Sequence, residues 1–318
     1  MKIAILDGYT STMGEFDWKG IEAFGEVAAY DRTPEDKIIE RARGAEAVLT
    51  NKVPMFEEQI CALPELRYIG VLATGYNNVD LRCAKSRGIA VTNIAEYGTD
   101  SVAQAVFAHI LNIANKTEEH SQSARSGDWS KCADICYCLA PLTEIAGKTI
   151  GIVGYGAIGR RVAQIAKAFG MEVAAYSPSR PAGTSDAAAR FTTLDDLLRS
   201  SDIISLNCAL NDATKEMVNA ESIAKMKDGA WIVNTGRGGL VNERDLAAAL
   251  NSGKIGAAGV DVLSSEPPPP DNPLISAKNC HITPHIAWTT REARKRLIQI
   301  AAENLKSWLE GGSKNRIC

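Results

Sequence analysis

No apolar run in this 318-residue chain comes near the ~20 consecutive residues that a membrane span needs. The sequence also lacks an excess of positive charge. Lys and Arg total 35 against 38 Asp and Glu, a formal net charge of -3, so it carries no electrostatic footprint for nucleic acid. Arg291, Arg294, Lys295 and Arg296 do crowd together, but at helical spacing they predict a solvated helix face. At the N-terminus, Asp7 follows four apolar residues, too few for a signal peptide, so the cytosol is the expected compartment. Among eight cysteines, Cys132, Cys136 and Cys138 lie close together, but their spacing matches no common zinc pattern. Free thiols and no metal are expected.

What is present is the balance of a globular protein, with 45% hydrophobic and 23% charged residues. The length suffices for two domains, each with its own core. In the first hundred residues, apolar runs at 2–6, 47–50, 66–72 and 89–92 read as strands. Helical patterns at 36–43 and 79–87 separate them. A long helix is predicted over 100–125, with Val102, Val106, Ile110 and Ile113 on one side. A second alternating series begins at Gly147, with strands at 149–153, 172–176, 203–207, 230–234, 257–261 and 280–283. Helices fall at 159–169 and 243–251, and an amphipathic helix at 289–309. Strands alternating with helices imply an α/β protein of two doubly wound parallel-sheet domains.

The most informative segment is Gly154-Tyr-Gly156-Ala-Ile-Gly159. It follows an apolar strand, opens a helix, and is followed by a second strand, which is the context a dinucleotide site requires. Gly154 permits the tight turn, Gly156 lets a pyrophosphate approach the backbone, and Gly159 allows helix to pack on strand. The helix N-terminus then faces the anion with unpaired N–H groups. An NAD site places Asp or Glu about 20 residues beyond the glycines, on the ribose diol. Here the second strand runs into Tyr176-Ser177-Pro178-Ser179-Arg180, and no acid appears before Asp186. Ser177 would not repel a 2′-phosphate, and Arg180 could pair with one through its planar fork. The cofactor is therefore read as NAD or NADP, with the balance toward NADP.

Hydride transfer to a carbonyl needs, besides the cofactor, an acid for the new alkoxide and a cation for the carboxylate. Of four histidines, His109 lies on an apolar helix face and reads as packed, His120 as a solvated helix end, and His281 as part of a strand. His285 stands in the loop Thr283-Pro284-His285-Ile286-Ala287-Trp288 and is the best placed for catalysis. Arg237, flanked by Gly236 and Gly238 after a strand, is the candidate cation. Glu266, after another strand, is the candidate partner of the histidine. All three leave the C-terminal ends of consecutive strands, the side on which open α/β sheets bind ligands. A carboxylate bonded to an imidazole favours its protonated form, which makes it a usable acid.

The segments 154–159, 234–239, 259–267 and 283–288 resemble those of the D-isomer-specific 2-hydroxyacid dehydrogenases, and Asp7-Gly8-Tyr9 with 72–80 resemble that family's first domain. The stretch 72–80 together with His285-Ile-Ala-Trp288 is most similar to glycerate dehydrogenases, also called hydroxypyruvate reductases. The resemblance implies a catalytic triad of Arg237, Glu266 and His285. It also implies that the substrate is bound by the backbone around Thr74, Gly75 and Tyr76, with Trp288 nearby. Thr74, Ala157, Ile158, Cys208, Thr235, Gly236 and Asp261 match positions on the dinucleotide. A Rossmann cofactor domain (99–289) inserted into a flavodoxin-like substrate domain (1–98 and 290–318) is expected, with a homodimer built on the former. Ser177 departs from the family's usual acid. The competing readings are formate or phosphite oxidation on the same scaffold, of which Glu266 opposes the formate case, and a corepressor-like nucleotide sensor, which the intact triad opposes.

Overall fold

The computed structural model describes residues Met1 to Cys318. The chain divides into two compact units, Met1–Gly98 with Trp288–Cys318, and Thr99–Ala287. The return crossing thus falls two residues before the expected one, and Trp288 belongs to the first unit.

The first unit holds a parallel sheet of β1 (Lys2–Ile5), β2 (Glu26–Ala29), β3 (Ala47–Thr50), β4 (Tyr68–Val71) and β5 (Ala90–Thr92) in the order β2-β1-β3-β4-β5. This is the flavodoxin-like order. β3 and β4 are buried at every position, as central parallel strands covered on both faces must be. One face packs on Ile38, Ile60, Leu63 and Val79. The other packs on Ile21 and on Ala293, Leu297, Ala301 and Leu305. The last four recur every fourth residue along the Arg291–Leu309 helix, so they form one stripe. Thr290 caps that helix, its side chain accepting from the Ala293 N–H, which is why it starts later than the sequence predicts.

One strand of this unit is unforeseen and one expectation needs correction. β2, which the sequence pattern does not reveal, is an edge strand with little burial and so no apolar alternation. The basic cluster is not wholly solvated either. Arg294 is only 3% exposed, and its guanidinium donates to the Thr12 carbonyl and the Glu15 carboxylate, each at 2.6 Å.

The second unit is a seven-stranded parallel sheet of β6 (Thr149–Val153), β7 (Glu172–Tyr176), β8 (Arg190–Phe191), β9 (Ile203–Leu206), β10 (Ala230–Asn234), β11 (Ile255–Val260) and β12 (Cys280–Ile282). Its order, β12-β11-β10-β9-β6-β7-β8, reverses between β6 and β9, giving the switch point of a Rossmann sheet. The predicted 100–125 helix is two helices, Thr99–Asn115 and Thr117–Arg125. Lys116 between them is left-handed, with φ 46°. The apolar face of the first helix ends at Ala114, and the second buries nothing, so no packing energy holds the axis straight. No helix is long and apolar enough to cross a membrane.

Candidate active site

The glycine-rich turn joins β6 to the Ala157–Ala168 helix at the switch point. Gly154 has φ 95°, and a Cβ there would fall 2.5 Å from the Cys208 nitrogen at the end of β9. A Cβ on Gly159 would fall 2.1 Å from the Gly154 carbonyl oxygen. Both glycines are therefore required by the protein's own packing. Gly156 is different, since a Cβ there meets nothing within 4 Å. It is the N-cap of the helix, and no side chain caps the first turn, which Ala157, Ile158 and Gly159 begin. Open space against uncapped N–H groups is what a pyrophosphate requires.

Further along the same sheet edge, the Thr235 hydroxyl after β10 and the Asn207 side-chain oxygen Oδ1 after β9 are buried without a hydrogen-bond partner. Buried polar atoms rarely stay unpaired, so both fit a polar ligand over the strand ends. Cys208 lies between β9 and this edge, its thiol 3.7 Å from the Met217 sulfur. Burial pushes that thiol's pKa up, which makes it a packing element and a poor nucleophile.

At the end of β7, Ser177 Oγ lies 3.1 Å from Ser179 Oγ, and the Arg180 N–H donates to the Ser177 carbonyl at 3.0 Å. The Arg180 guanidinium lies over the Phe191 ring, 5.4 Å from its centroid. Asp186 turns inward, accepting from the Tyr155 hydroxyl and from the N–H groups of Ala188 and Ala189. The first acid beyond β7 is thus committed to shaping the loop.

His285 and Glu266 meet directly, with His285 Nδ1 2.6 Å from Glu266 Oε2. The other carboxylate oxygen accepts the Leu263 N–H at 3.0 Å, which fixes the carboxylate plane. An ionised carboxylate only accepts, so Nδ1 carries a proton and Nε2 is the nitrogen left for exchange with a substrate. His285 itself is left-handed, with φ 56°. Its N–H donates to the Asp261 carbonyl at 2.8 Å and the Thr283 carbonyl at 3.0 Å.

Asp261, expected on the dinucleotide, has its carboxylate bonded within the protein. Oδ1 accepts from the Thr283 hydroxyl at 2.6 Å and the Ile286 N–H at 2.9 Å, and Oδ2 accepts from the Ala287 N–H at 2.8 Å. The residue is 2% exposed. It is a strut for the histidine loop, a role that only the folded chain reveals because its partners lie more than 20 residues away.

Arg237 is half-buried after β10, in a loop that Asn234 braces from both sides. The Asn234 amide donates to the Arg237 carbonyl at 2.9 Å and accepts from the Gly236 N–H at 3.0 Å. The Arg237 guanidinium donates to the Gly236 carbonyl at 2.8 Å. The flanking glycines do more than open the loop to a ligand, since Gly238 packs on the main chain at Leu263 and Ser264, which leads to Glu266.

In the first unit, the loop after β4 is tied to the chain after β5. Thr74 Oγ1 donates to the Ile94 carbonyl at 2.9 Å, and the Asn93 amide donates to the Thr74 carbonyl at 2.8 Å. Gly75 and Tyr76 follow, with the Tyr76 side chain exposed. Trp288 packs edge-on to Tyr97, with ring centroids 6.0 Å apart.

The remaining histidines have other duties. His109 is buried as expected, and burial also lowers the pKa of both His109 and His281. His120 stands on the Thr117–Arg125 helix, which buries no residue, and its Nε2 accepts the Leu139 N–H at 3.1 Å. All eight cysteines are unbridged.

The family model for the D-isomer specific 2-hydroxyacid dehydrogenase NAD binding domain matches residues 107–287. The chain belongs to that family. It is a 2-hydroxyacid oxidoreductase that uses a nicotinamide cofactor, and the Thr99–Ala287 unit contains the cofactor-binding domain. The dehydrogenase is 48% identical over 318 residues to a hydroxypyruvate reductase of Blautia hydrogenotrophica, with 99% of each chain covered. It is 40% identical over 285 residues to a glycerate dehydrogenase of Methylorubrum extorquens, covering 89% of this chain and 88% of that one. Among solved structures, an acyclic imino acid reductase in complex with NADPH and D-Arg superposes with a TM-score of 0.88 at 29% identity, covering both chains completely.

Proposed function

We propose that this dehydrogenase interconverts a short 2-oxo acid of the hydroxypyruvate or glyoxylate class and the corresponding 2-hydroxy acid, with His285 as the proton-transferring residue. The observation that carries this reading is the 2.6 Å contact of His285 with Glu266 at the strand ends of a cofactor-binding sheet. When bound, the nicotinamide supplies or accepts the hydride. In the reducing direction His285 Nε2–H gives its proton to the carbonyl oxygen as that oxygen becomes an alcohol. Glu266 holds the ring in one orientation and stabilises the imidazolium before transfer. Arg237 binds the carboxylate and polarises the carbonyl through its planar fork. The loop of Thr74, Gly75 and Tyr76 offers backbone donors to the substrate carboxylate, and Trp288 is a further substrate-contacting residue.

The relatives named above support the substrate class. The paired glutamate speaks against formate oxidation, which needs no proton donor of this kind. For the cofactor, the neutral Ser177 and the nearby Arg180 favour NADP. We also propose a homodimer through the second unit, where Trp129, Leu139 and Leu142 are exposed and Ile135 is 91% exposed. The cytosol, where reduced nicotinamides and free thiols persist, is the proposed compartment.

The test is a panel of 2-oxo acids assayed with NADH and NADPH, with the configuration of each chiral product, glycerate above all, determined. Hydroxypyruvate or glyoxylate should lead pyruvate and longer 2-oxo acids by about tenfold or more in kcat/KM, a difference of ~1.4 kcal/mol. A flat profile, or a product of L configuration, would overturn the reading.

A further inference from the structure

His109 lies within the Thr99–Asn115 helix, 174 positions ahead of Thr283, yet the two side chains meet. His109 Nε2 is 3.2 Å from Thr283 Oγ1. The same hydroxyl is 2.6 Å from Asp261 Oδ1. A hydroxyl has one proton and an ionised carboxylate has none, so Thr283 donates to Asp261 and keeps only lone pairs for the histidine. The contact with His109 therefore requires an N–H at Nε2, which leaves Nδ1 bare in the neutral ring. Burial disfavours a second proton, outweighing the attraction of Asp261, and His281 acts in the same sense as burial. The neutral Nε2–H tautomer satisfies every one of these partners.

The helix is placed for this contact by the strands it covers. A Cβ on Gly259 would fall 2.6 Å from His109 Cβ, so only glycine in β11 admits the histidine at this depth. One helical turn later, the Asn112 amide lies 3.2 Å from His281 Nδ1. Positions 109 and 112 share a helix face, and 281 and 283 share a strand face, so two polar ties register the helix on the chain that leads into His285. Beyond Thr283, the Asp261 carboxylate accepts the N–H groups of Ile286 and Ala287, and its carbonyl accepts that of His285. These bonds bracket a left-handed residue, a conformation that non-glycine side chains adopt only where surrounding contacts hold it.

We propose that His109 is a positioning residue for His285, acting through Thr283 and Asp261 to hold the loop on which the imidazole is presented. This rests on the reading of His285 as the proton donor, and the two are separable by experiment.

The full-length enzyme would be compared with His109→Phe, His109→Gln, Thr283→Val and the His109→Phe/Thr283→Val pair, with His285→Ala in parallel. His109→Phe should lower kcat about tenfold and shift the pH at which kcat declines, while cofactor Kd stays within about twofold. His109→Gln, whose terminal amide can replace the Nε2–H, should recover most of the loss. The double variant should lose little more than the worse single one, because both break one chain of bonds. Long-range 1H–15N spectra should show His109 as a neutral Nε2–H ring across the pH range of activity.

Unchanged kcat and pH profile in His109→Phe, no advantage of Gln over Phe, or additive losses would each overturn the proposal. If His109→Phe does not fold, Thr283→Val carries the same kinetic readouts and decides the proposal in the same way. If His285→Ala keeps its turnover, the assignment of the acid falls. If His285→Ala is inactive while His109→Phe is normal, only the positioning role falls.

Discussion

Gly238 lies against the main chain of Leu263 so closely that a Cβ on Gly238 would fall 1.9 Å from the Leu263 carbonyl carbon. The loop that carries Arg237 and the loop that carries Glu266 are thereby packed side by side, with no room between them for a side chain at Gly238. Gly238→Ala must push the two apart. A shift on the order of 1 Å in a catalytic arrangement costs about 100-fold in rate, so kcat/KM should fall by roughly that factor. Overpacking of this kind also costs about 1–3 kcal/mol of stability. Steady-state kinetics with a thermal melt measures both, and wild-type kinetics in this variant would show that the two loops act independently.

His285→Ala removes the proposed proton donor. It should lower kcat by about 100-fold or more, the usual scale for a general acid, with cofactor affinity preserved. Glu266→Gln keeps a hydrogen-bond acceptor beside the ring but removes the charge, so it should fall between His285→Ala and wild type. Near-normal turnover in His285→Ala would remove this residue from the mechanism.

Two glycines of the same turn should separate folding from binding. A Cβ on Gly156 enters open space, whereas one on Gly159 strikes the Gly154 carbonyl. Gly156→Ala should therefore leave Tm unchanged and weaken dinucleotide binding, while Gly159→Ala should lower Tm as well. Calorimetric Kd values and melting curves make the comparison, and equal losses of Tm in the two variants would contradict it.

The cofactor choice turns on the end of β7. Ser177→Asp should shift preference toward NADH by adding a partner for the ribose diol and repulsion for a 2′-phosphate. Arg180→Ala should weaken NADPH alone, by about 10- to 150-fold if a charge-assisted contact of ~1.5–3 kcal/mol is lost. The Arg180 guanidinium lies over the Phe191 ring. Equal effects of Arg180→Ala on both cofactors, in kcat/KM, would assign the arginine to that stacking alone.

Acid should weaken the second unit before its carboxylates titrate. Burial lowers the pKa of His109 and of His281. In the unfolded chain these imidazoles take up protons near pH 6.5, while in the folded chain they stay neutral to lower pH. The unfolded state then binds more protons, so stability falls as the pH drops from about 6.5. Urea midpoints should decline between about pH 7.5 and 5.5, and His109→Gln should flatten the decline. A midpoint constant over that interval would refute the linkage.

The elements that sequence exposed are those whose pattern is local. The glycine turn after β6, the loops bearing Arg237, Glu266 and His285, and the stripe of Ala293, Leu297, Ala301 and Leu305 all declare themselves within a few residues. What stayed hidden depends on distant partners. β2 is extended because β1 pairs with it in register, and its own side chains give no alternation. Lys116 breaks a helix because the apolar face gives out there. Asp261 follows a strand end, as a ligand-binding acid would, and only its bonds to Thr283, Ile286 and Ala287 show that it braces the loop. His109 is legible as a packed residue, while its tie to Thr283 spans most of the second unit and has no signature in the sequence.

The insertion of one unit within the other also sets an order of synthesis. The Thr99–Ala287 unit is continuous, so its whole sheet has been translated while part of the first unit is still missing. The β1 to β5 sheet lacks part of one of its two coverings until the Arg291–Leu309 helix emerges, and β5 gains its contact with Arg316 only after that. On the ribosome, the cofactor-binding unit can finish first, while the N-terminal strands wait with one apolar face partly uncovered. That interval, and not the finished enzyme, is when the chain is most exposed to aggregation and to chaperones.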